Sequence, residues 1–262
     1  MALPRMTPQD GVAWITGASS GIGAAVALEL AQRGWTVTAT ARRLDLLEGL
    51  ARKSEHLPGR IVAHAGDVTD AAAMAGLVET IEAVHGPIAL AFLNAGVATG
   101  TRERGRGFDL AAAEATFAVN VLGVLRSLAP VLPAMTRRGR GQIAVTASLV
   151  GYRGLPGAAA YGASKAAMIH FCESLRGDCA ADGITLQVVN PGFVVTPMTE
   201  GNGFSMPFLM PVEAAARRVA DGLAGGGFEI TFPRRLTWLL KLARILPYPL
   251  YFALMRQVAR RI

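Results

Sequence analysis

Cysteine, histidine and charge are all scarce in this chain. The two cysteines among 262 residues are Cys172 and Cys179. They fall in one helical stretch, where two turns separate them by roughly 10 Å, too far for a disulfide. Their spacing matches no zinc site, so they read as buried thiols in a reducing cytoplasm. The four histidines, His56, His64, His85 and His170, are scattered, and no metal is expected. Charged residues make up only 17% against 52% apolar. That excludes a disordered chain and allows a sizeable core. No secretory segment is expected, because Met1-Ala2-Leu3-Pro4-Arg5 leads almost directly into the apolar run Val12–Ile15.

Acidic residues are missing altogether from Phe232 to Ile262, where seven basic residues stand. The rest of the chain holds 19 of each sign, so the net charge of +7 belongs to the tail. A nucleic-acid partner is therefore not implied for the whole protein. Two helical segments are expected in the tail, Leu236–Leu246 and Leu250–Ile262, split by Pro247-Tyr248-Pro249. On a helical wheel, Arg256, Gln257, Arg260 and Arg261 gather on one side of the second segment. Tyr251, Leu254, Met255, Val258 and Ile262 take the other. Such a basic amphipathic helix suits peripheral contact with a membrane; a helical hairpin packed on the body, a partner subunit or the active-site mouth is the alternative. Neither segment is an uninterrupted apolar run of the length a bilayer span needs.

What is present is alternation. Short apolar runs recur at Val12–Thr16, Thr36–Thr40, Ile61–Ala65, Ile88–Asn94, Gln142–Ala147, Thr185–Asn190 and Phe228–Phe232. Helical patterns lie between them at Gly23–Arg33, Leu44–Arg52, Ala71–Val84, Ala111–Arg137, Ala158–Ala181 and Pro211–Ala224. Several runs are apolar on both faces, as strands of a buried parallel sheet are. The pattern predicts an α/β fold, a Rossmann-like doubly wound parallel seven-stranded sheet, and analogy with nucleotide-binding folds gives the order 3-2-1-4-5-6-7. Residues 1–232 are expected to form a single catalytic domain and residues 233–262 a basic helical extension.

The first strand–helix turn reads Thr16-Gly17-Ala18-Ser19-Ser20-Gly21-Ile22-Gly23. Glycines there permit a tight turn and close approach of a pyrophosphate to the helix N-terminus. The spacing is Gly-x-x-x-Gly-x-Gly rather than the Gly-x-Gly-x-x-Gly fingerprint. An acid is also lacking at the end of the second strand, where enzymes using NAD place one for the ribose. That strand ends Thr40-Ala41-Arg42-Arg43. Two arginines suit a 2′-phosphate, so NADP is favoured over NAD.

Tyr161 and Lys165 stand four residues apart, which stacks phenol and ammonium on one helix face. A cation there favours the phenolate and brings its proton closer to exchange at neutral pH. Ser148 precedes them at the end of the fifth strand, where ligands gather in such folds.

Together these motifs resemble the short-chain dehydrogenase/reductase family from about Gly11 to Phe232. Gly66-Asp67-Val68-Thr69, Asn94-Ala95-Gly96, Asn120 and Pro191-Gly192 complete the match. The resemblance implies that Asp67 and Val68 contact the adenine, and that Asn94, Ala95 and Gly96 lie beneath the cofactor. Asn120 would disturb its helix and hold a water linking Lys165 to solvent. Ser148 would hydrogen-bond the substrate oxygen and Tyr161 would exchange its proton. Lys165 would lower the phenol pKa and bind the nicotinamide ribose. Pro191, Gly192 and Val194 would line the nicotinamide pocket, with Thr196 reaching the carboxamide or phosphate. Tyr152 is a rival acid but lacks a lysine four residues on.

The activity implied is hydride transfer between a nicotinamide and a carbonyl or secondary alcohol, by a homodimer or homotetramer. A silent NADP-binding regulatory or scaffold protein is the competing reading. The segment Glu200–Pro211 corresponds to a mobile lid, and its Phe204, Met206, Phe208 and Met210 suit a lipophilic substrate. The charge runs Arg102–Arg106 and Arg137–Arg140 are expected to be solvated loops.

Overall fold

The computed structural model describes residues 4–99, 107–200 and 206–259. Seven parallel strands form one sheet: β1 (Val12–Thr16), β2 (Thr36–Ala41), β3 (Arg60–Ala65), β4 (Ile88–Leu93), β5 (Gly141–Thr146), β6 (Ile184–Pro191) and β7 (Glu229–Phe232). Their order is β3-β2-β1-β4-β5-β6-β7, as expected. Successive residues of β1 point to opposite faces, and every one is buried. Ala13 and Ile15 join a core with Val26 and Leu30 of α1 (Gly21–Gln32) and Val219 of α7 (Val212–Gly225). Val12 and Trp14 join the opposite core with Ile81 of α3 (Ala71–His85) and Val131 of α5 (Val124–Arg138). The Trp14 indole N–H, out of water, donates to Thr40 Oγ1 at 2.9 Å.

Strand order reverses beside β1, which lies between β2 and β4. Connections leave in opposite directions there, so a crevice opens beyond the strands' carboxyl ends. Asn94 ties that end of the sheet together. Its amide N–H₂ donates to Thr16 O (3.2 Å) and Gly17 O (3.4 Å), and its Oδ1 accepts from Thr146 Oγ1 (3.2 Å).

The single helix expected over Ala111–Arg137 is interrupted. α4 (Leu110–Phe117) passes through a π-helical turn, Ala118–Gly123, into α5. Asn120 supplies one reason, since its side chain is drawn to the backbone of Val97. Gly123 supplies another: a Cβ there would stand 2.7 Å from Val68 Cγ2. The run Leu110–Arg138 is long and apolar enough to cross a bilayer, yet it packs on α3, on β4 and, through α4 and the π turn, on α6 (Ala159–Ala181). The remaining helices are α2 (Leu44–Lys53), α8 (Arg234–Ile245) and α9 (Tyr248–Ala259). α8 starts two residues earlier than expected, and α9 absorbs Pro249, which was expected to lie in the break. A proline in the first turn is compatible with a helix because N–H groups there have no intrahelical acceptor.

The strand-end tie by Asn94 is testable by unfolding. Asn94→Ala leaves the Thr146 hydroxyl and the Thr16 carbonyl without this partner. A loss of about 1–3 kcal/mol is expected in urea denaturation; an unchanged midpoint would contradict the tie.

Candidate active site

At the turn after β1, Gly17 has φ +68°, in the left-handed region. A Cβ on it would stand 2.7 Å from Ala95 Cα. One on Gly23 would meet Gly17 O at 2.4 Å and Asn94 Nδ2 at 2.5 Å. Backbone thus fills the space a side chain would take. Ser20 occupies the N-cap of α1 without a side-chain cap bond, and no acid lies in the first turn. Unpaired N–H groups there are what an anion needs. Ser19, Ser20 and Ile22 are partly exposed around this turn.

Arg42 and Arg43 are exposed just beyond the end of β2. Arg43 Nη2 donates to Ser19 Oγ at 3.1 Å, so one guanidinium is held against the glycine turn. The Asp67 carboxylate accepts from the Thr69 N–H (2.9 Å) and hydroxyl (2.8 Å). The Thr69 backbone bond, aided by that hydroxyl and by Arg42, holds the carboxyl below its usual range against an opposing effect of burial. Asp70, not Asp67, caps α3 by accepting from Ala73 N–H at 2.9 Å. The Val68 side chain is turned into the core against Gly123, which leaves its backbone for the crevice.

The N–H groups of Asn94 and Ala95 both donate to Thr16 Oγ1, at 3.0 and 3.2 Å. Asn120 is fully buried within the π turn. Its Oδ1 accepts from Val97 N–H at 2.8 Å. Its Nδ2 donates to Val97 O at 2.9 Å and to Ser164 Oγ at 3.0 Å. Ser164 in turn donates to Tyr161 O at 2.7 Å. Gly96 lies between: a Cβ on it would be 3.3 Å from both Asn120 Oδ1 and Lys165 Nζ. π turns of this kind recur at functional sites.

Tyr161 and Lys165 occupy the first two turns of α6. Lys165 is only 2% exposed. Its Nζ lies 5.8 Å from the centroid of the Tyr161 ring and donates to Thr146 O at 2.8 Å. Ser148, just beyond the end of β5, lies close enough to the Tyr161 hydroxyl to ease its ionisation. It also donates to Pro191 O (3.3 Å) and accepts from Val150 N–H (3.2 Å). Tyr161, Ser148 and Lys165 therefore converge as expected, but their electrostatics differ from expectation. Burial pushes the Tyr161 phenol above its ordinary value, with the Ser148 hydrogen bond working the other way. Burial also pushes Lys165 down to about 8. Low local dielectric disfavours the charged form of each, and that outweighs the lowering expected from their proximity.

Pro191 ends β6, and Gly192 sits against α8: a Cβ on it would be 3.0 Å from Leu236 Cδ2 and Pro233 Cδ. Val194 is buried and forms a parallel β-bridge with Met210. Thr196 approaches the glycine turn; a Cβ on Gly21 would be 3.3 Å from its Cγ2. Phe208, within the lid, holds φ +60°, an unusual conformation for an aromatic residue. Gly201–Ser205 and Thr101–Arg106 lie outside the described residues. The rival Tyr152 donates its hydroxyl to Glu229, and burial raises its pKa.

Three participants escape a reading of side-chain motifs. Thr146 contributes a main-chain carbonyl, which carries no sequence signal. Ser164 reads as a spacer within Tyr-Gly-Ala-Ser-Lys, and Thr16 as the last residue of a strand. The assembled residues fit a dinucleotide: a cradle too tight for side chains, bare N–H groups, exposed arginines, and a buried ammonium with one acceptor among the described residues.

Burial of Lys165 has a pH signature. The folded lysine is harder to protonate than the unfolded one, so between about pH 8 and 10.5 the unfolded chain binds the extra proton. This group makes stability rise with pH across that window, and its destabilisation is complete below pH 8. Lys165→Met is expected to raise the urea midpoint most below pH 8 and to flatten the rise. A curve parallel to the parent's would contradict it.

A family model for short chain dehydrogenases matches residues 11–204. An uncharacterized oxidoreductase of Myxococcus xanthus is 38% identical over 252 residues, covering 94% of this chain and 96% of the relative. The 3-oxoacyl-acyl-carrier-protein reductase FabG of Thermotoga maritima is 36% identical over 192 residues, 72% of this chain and 76% of that protein. A solved short-chain dehydrogenase from Sphingobium yanoikuyae in complex with NADPH has a TM-score of 0.77 at 27% identity. The match covers 89% of this chain and 93% of that one. Sheet order, glycine turn and family match agree: the chain belongs to the short-chain dehydrogenase/reductase family, oxidoreductases that act on CH–OH and C=O groups with NAD(P).

Proposed function

We propose that this protein is an NADP(H)-dependent reductase or dehydrogenase of a lipophilic carbonyl or secondary alcohol, with Tyr161 as general acid/base. The observation that carries the reading is the convergence of Ser148, Tyr161 and a buried Lys165 at the carboxyl ends of the strands. When bound, the nicotinamide supplies or accepts a hydride at its C4. The protein's own residues handle the oxygen. In reduction, the Ser148 and Tyr161 hydroxyls hold the carbonyl oxygen, and Tyr161 gives it a proton. The tyrosinate left behind gains a counter-charge from the Lys165 ammonium, which Thr146 O steadies. Asn120 keeps Val97 and Ser164 in register beside that ammonium.

Gly17, Ser19, Ser20, Gly21, Ile22 and Gly23 would hold the pyrophosphate, with Asp67, Val68, Asn94, Ala95 and Gly96 along the adenosine side. Pro191, Gly192, Val194 and Thr196 would take the nicotinamide. Arg42 and Arg43, with Ala41 in place of an acid, support NADP over NAD. Exposed Phe208 and Leu209 on the lid, with Val195 and Met198 just before it, support a lipophilic substrate. Exposed Leu110, Phe117 and Leu122 support a homo-oligomer through α4 and the π turn. Residues 1–232 serve as the catalytic domain. Residues 233–262 form a tail for peripheral membrane contact, on a cytoplasmic protein whose described cysteines are free.

NADPH oxidation with a panel of ketones tests the chemistry. Tyr161→Phe should cut turnover by about 10²–10⁴-fold while NADPH binding persists. Cofactor binding without turnover of any ketone by the parent would favour a regulatory protein instead. Arg42→Ala should raise the KM for NADPH by roughly 10–100-fold and leave that for NADH nearly unchanged. Equal effects on both cofactors would remove the 2′-phosphate assignment.

A further inference from the structure

The helices α8 and α9 form a hairpin packed on the body, and α9 buries part of the apolar side that the helical wheel gives it. Tyr251 and Met255 are buried with Ala243 and pack against Leu155 and Leu246. Polar contacts fix the hairpin in that orientation. Arg153 Nη1 donates to the carbonyls of Ala243 (2.7 Å), Arg244 (2.9 Å) and Leu246 (2.6 Å), and its guanidinium lies 4.0 Å from the Tyr251 ring centroid. Tyr251 donates its hydroxyl to Gly154 O at 2.5 Å. Lys241 is paired with Glu229 of β7.

With the inner face held this way, large apolar side chains are left outside. Trp238, Leu239, Leu242 and Ile245 form a stripe along α8, and Tyr248 and Phe252 stack at the start of α9. Trp238 is 71% and Ile245 76% exposed. A contiguous outward patch of this kind marks an interaction surface. Arg234, Arg235, Arg244 and Arg256 are exposed around it, and among the described residues none of them makes an ion pair. No acid follows Glu229 in the chain.

We propose that this outer face of α8 and the start of α9 docks on an anionic lipid bilayer. A second copy of the chain fits it less well, because a two-fold contact would set these arginines against one another with no carboxylate of the hairpin to pair them. An anionic bilayer supplies the missing negative charge and an apolar layer for the indole and aliphatic side chains together. The inner side of the hairpin also adjoins the active site. Leu236 and Pro233, at the start of α8, abut Gly192, and a cleft beside α9 is lined by Pro156, Pro249, Phe252, Met255 and Arg256. Pro156 belongs to the loop that leads into α6 and Tyr161. A lipophilic ketone dissolved in the bilayer would thus enter beside the catalytic pair; this last step rests on the reductase reading above.

Co-sedimentation of the full chain with phosphatidylcholine vesicles, with and without phosphatidylglycerol, tests the docking. Trp238 provides a second readout, since Trp14 and Trp35 are buried. Binding to the anionic vesicles with a blue shift of tryptophan emission is expected. Leu242→Glu with Ile245→Glu should abolish both and leave NADPH oxidation with a water-soluble ketone unchanged. Arg234→Gln and Arg235→Gln should each weaken partitioning about fivefold. Equal binding to neutral vesicles, none to either, or an unmoved emission would overturn the proposal. So would a Leu242→Glu/Ile245→Glu variant that elutes as a smaller species, since the face would then join copies of the chain. Turnover of the soluble ketone without vesicle binding would sink the docking alone; vesicle binding without turnover would sink the reductase reading alone.

Discussion

The ammonium of Lys165 sits almost wholly out of water with no anion beside it among the described residues, and much of the crevice is arranged around that one charge. A buried cation without a counter-charge is costly, so its pKa falls toward neutrality. The Thr146 carbonyl is its acceptor, and it is available because β5 ends there. The same residue's hydroxyl donates to Asn94, which joins the end of β5 to that of β1. The charge, the strand ends and the glycine turn are therefore one connected structure. Disturbing any of them moves the others.

This arrangement gives the reaction its electrostatic logic. Burial favours the neutral phenol of Tyr161 and the neutral amine of Lys165. A tyrosinate formed during proton transfer changes that balance, because each charge then becomes the other's partner in a low-dielectric site. In the proposed reaction Ser148, beside the phenol, would hold the substrate oxygen. Tyr152, only four residues further on, is removed from competition by its bond to Glu229, itself engaged by Lys241 and Asn190.

Most of the fold was legible because buried parallel strands are apolar on both faces and alternate with helices. The Tyr161/Lys165 spacing and the glycine turn were legible for the same reason: each depends on neighbours in sequence. What depends on distant neighbours was not. The π turn exists because Asn120 bonds Val97 and because Gly123 yields space to Val68. The direction of the pKa shifts follows from burial by several elements at once, which no four-residue spacing conveys. What holds the hairpin against the body was not legible either, because Leu155 and Arg153, far upstream, decide which side of α9 turns inward.

The central claim is that a substrate oxygen is held jointly by Ser148 and Tyr161 above a buried Lys165. A crystal structure of the full chain with NADPH and a slowly reduced ketone tests it most directly. The account requires the ketone oxygen within hydrogen-bonding distance of both hydroxyls, with Lys165 Nζ still bonded to Thr146 O. A ketone oxygen bound at Tyr152 or elsewhere, with the Ser148 and Tyr161 hydroxyls making no contact to it, would contradict the account.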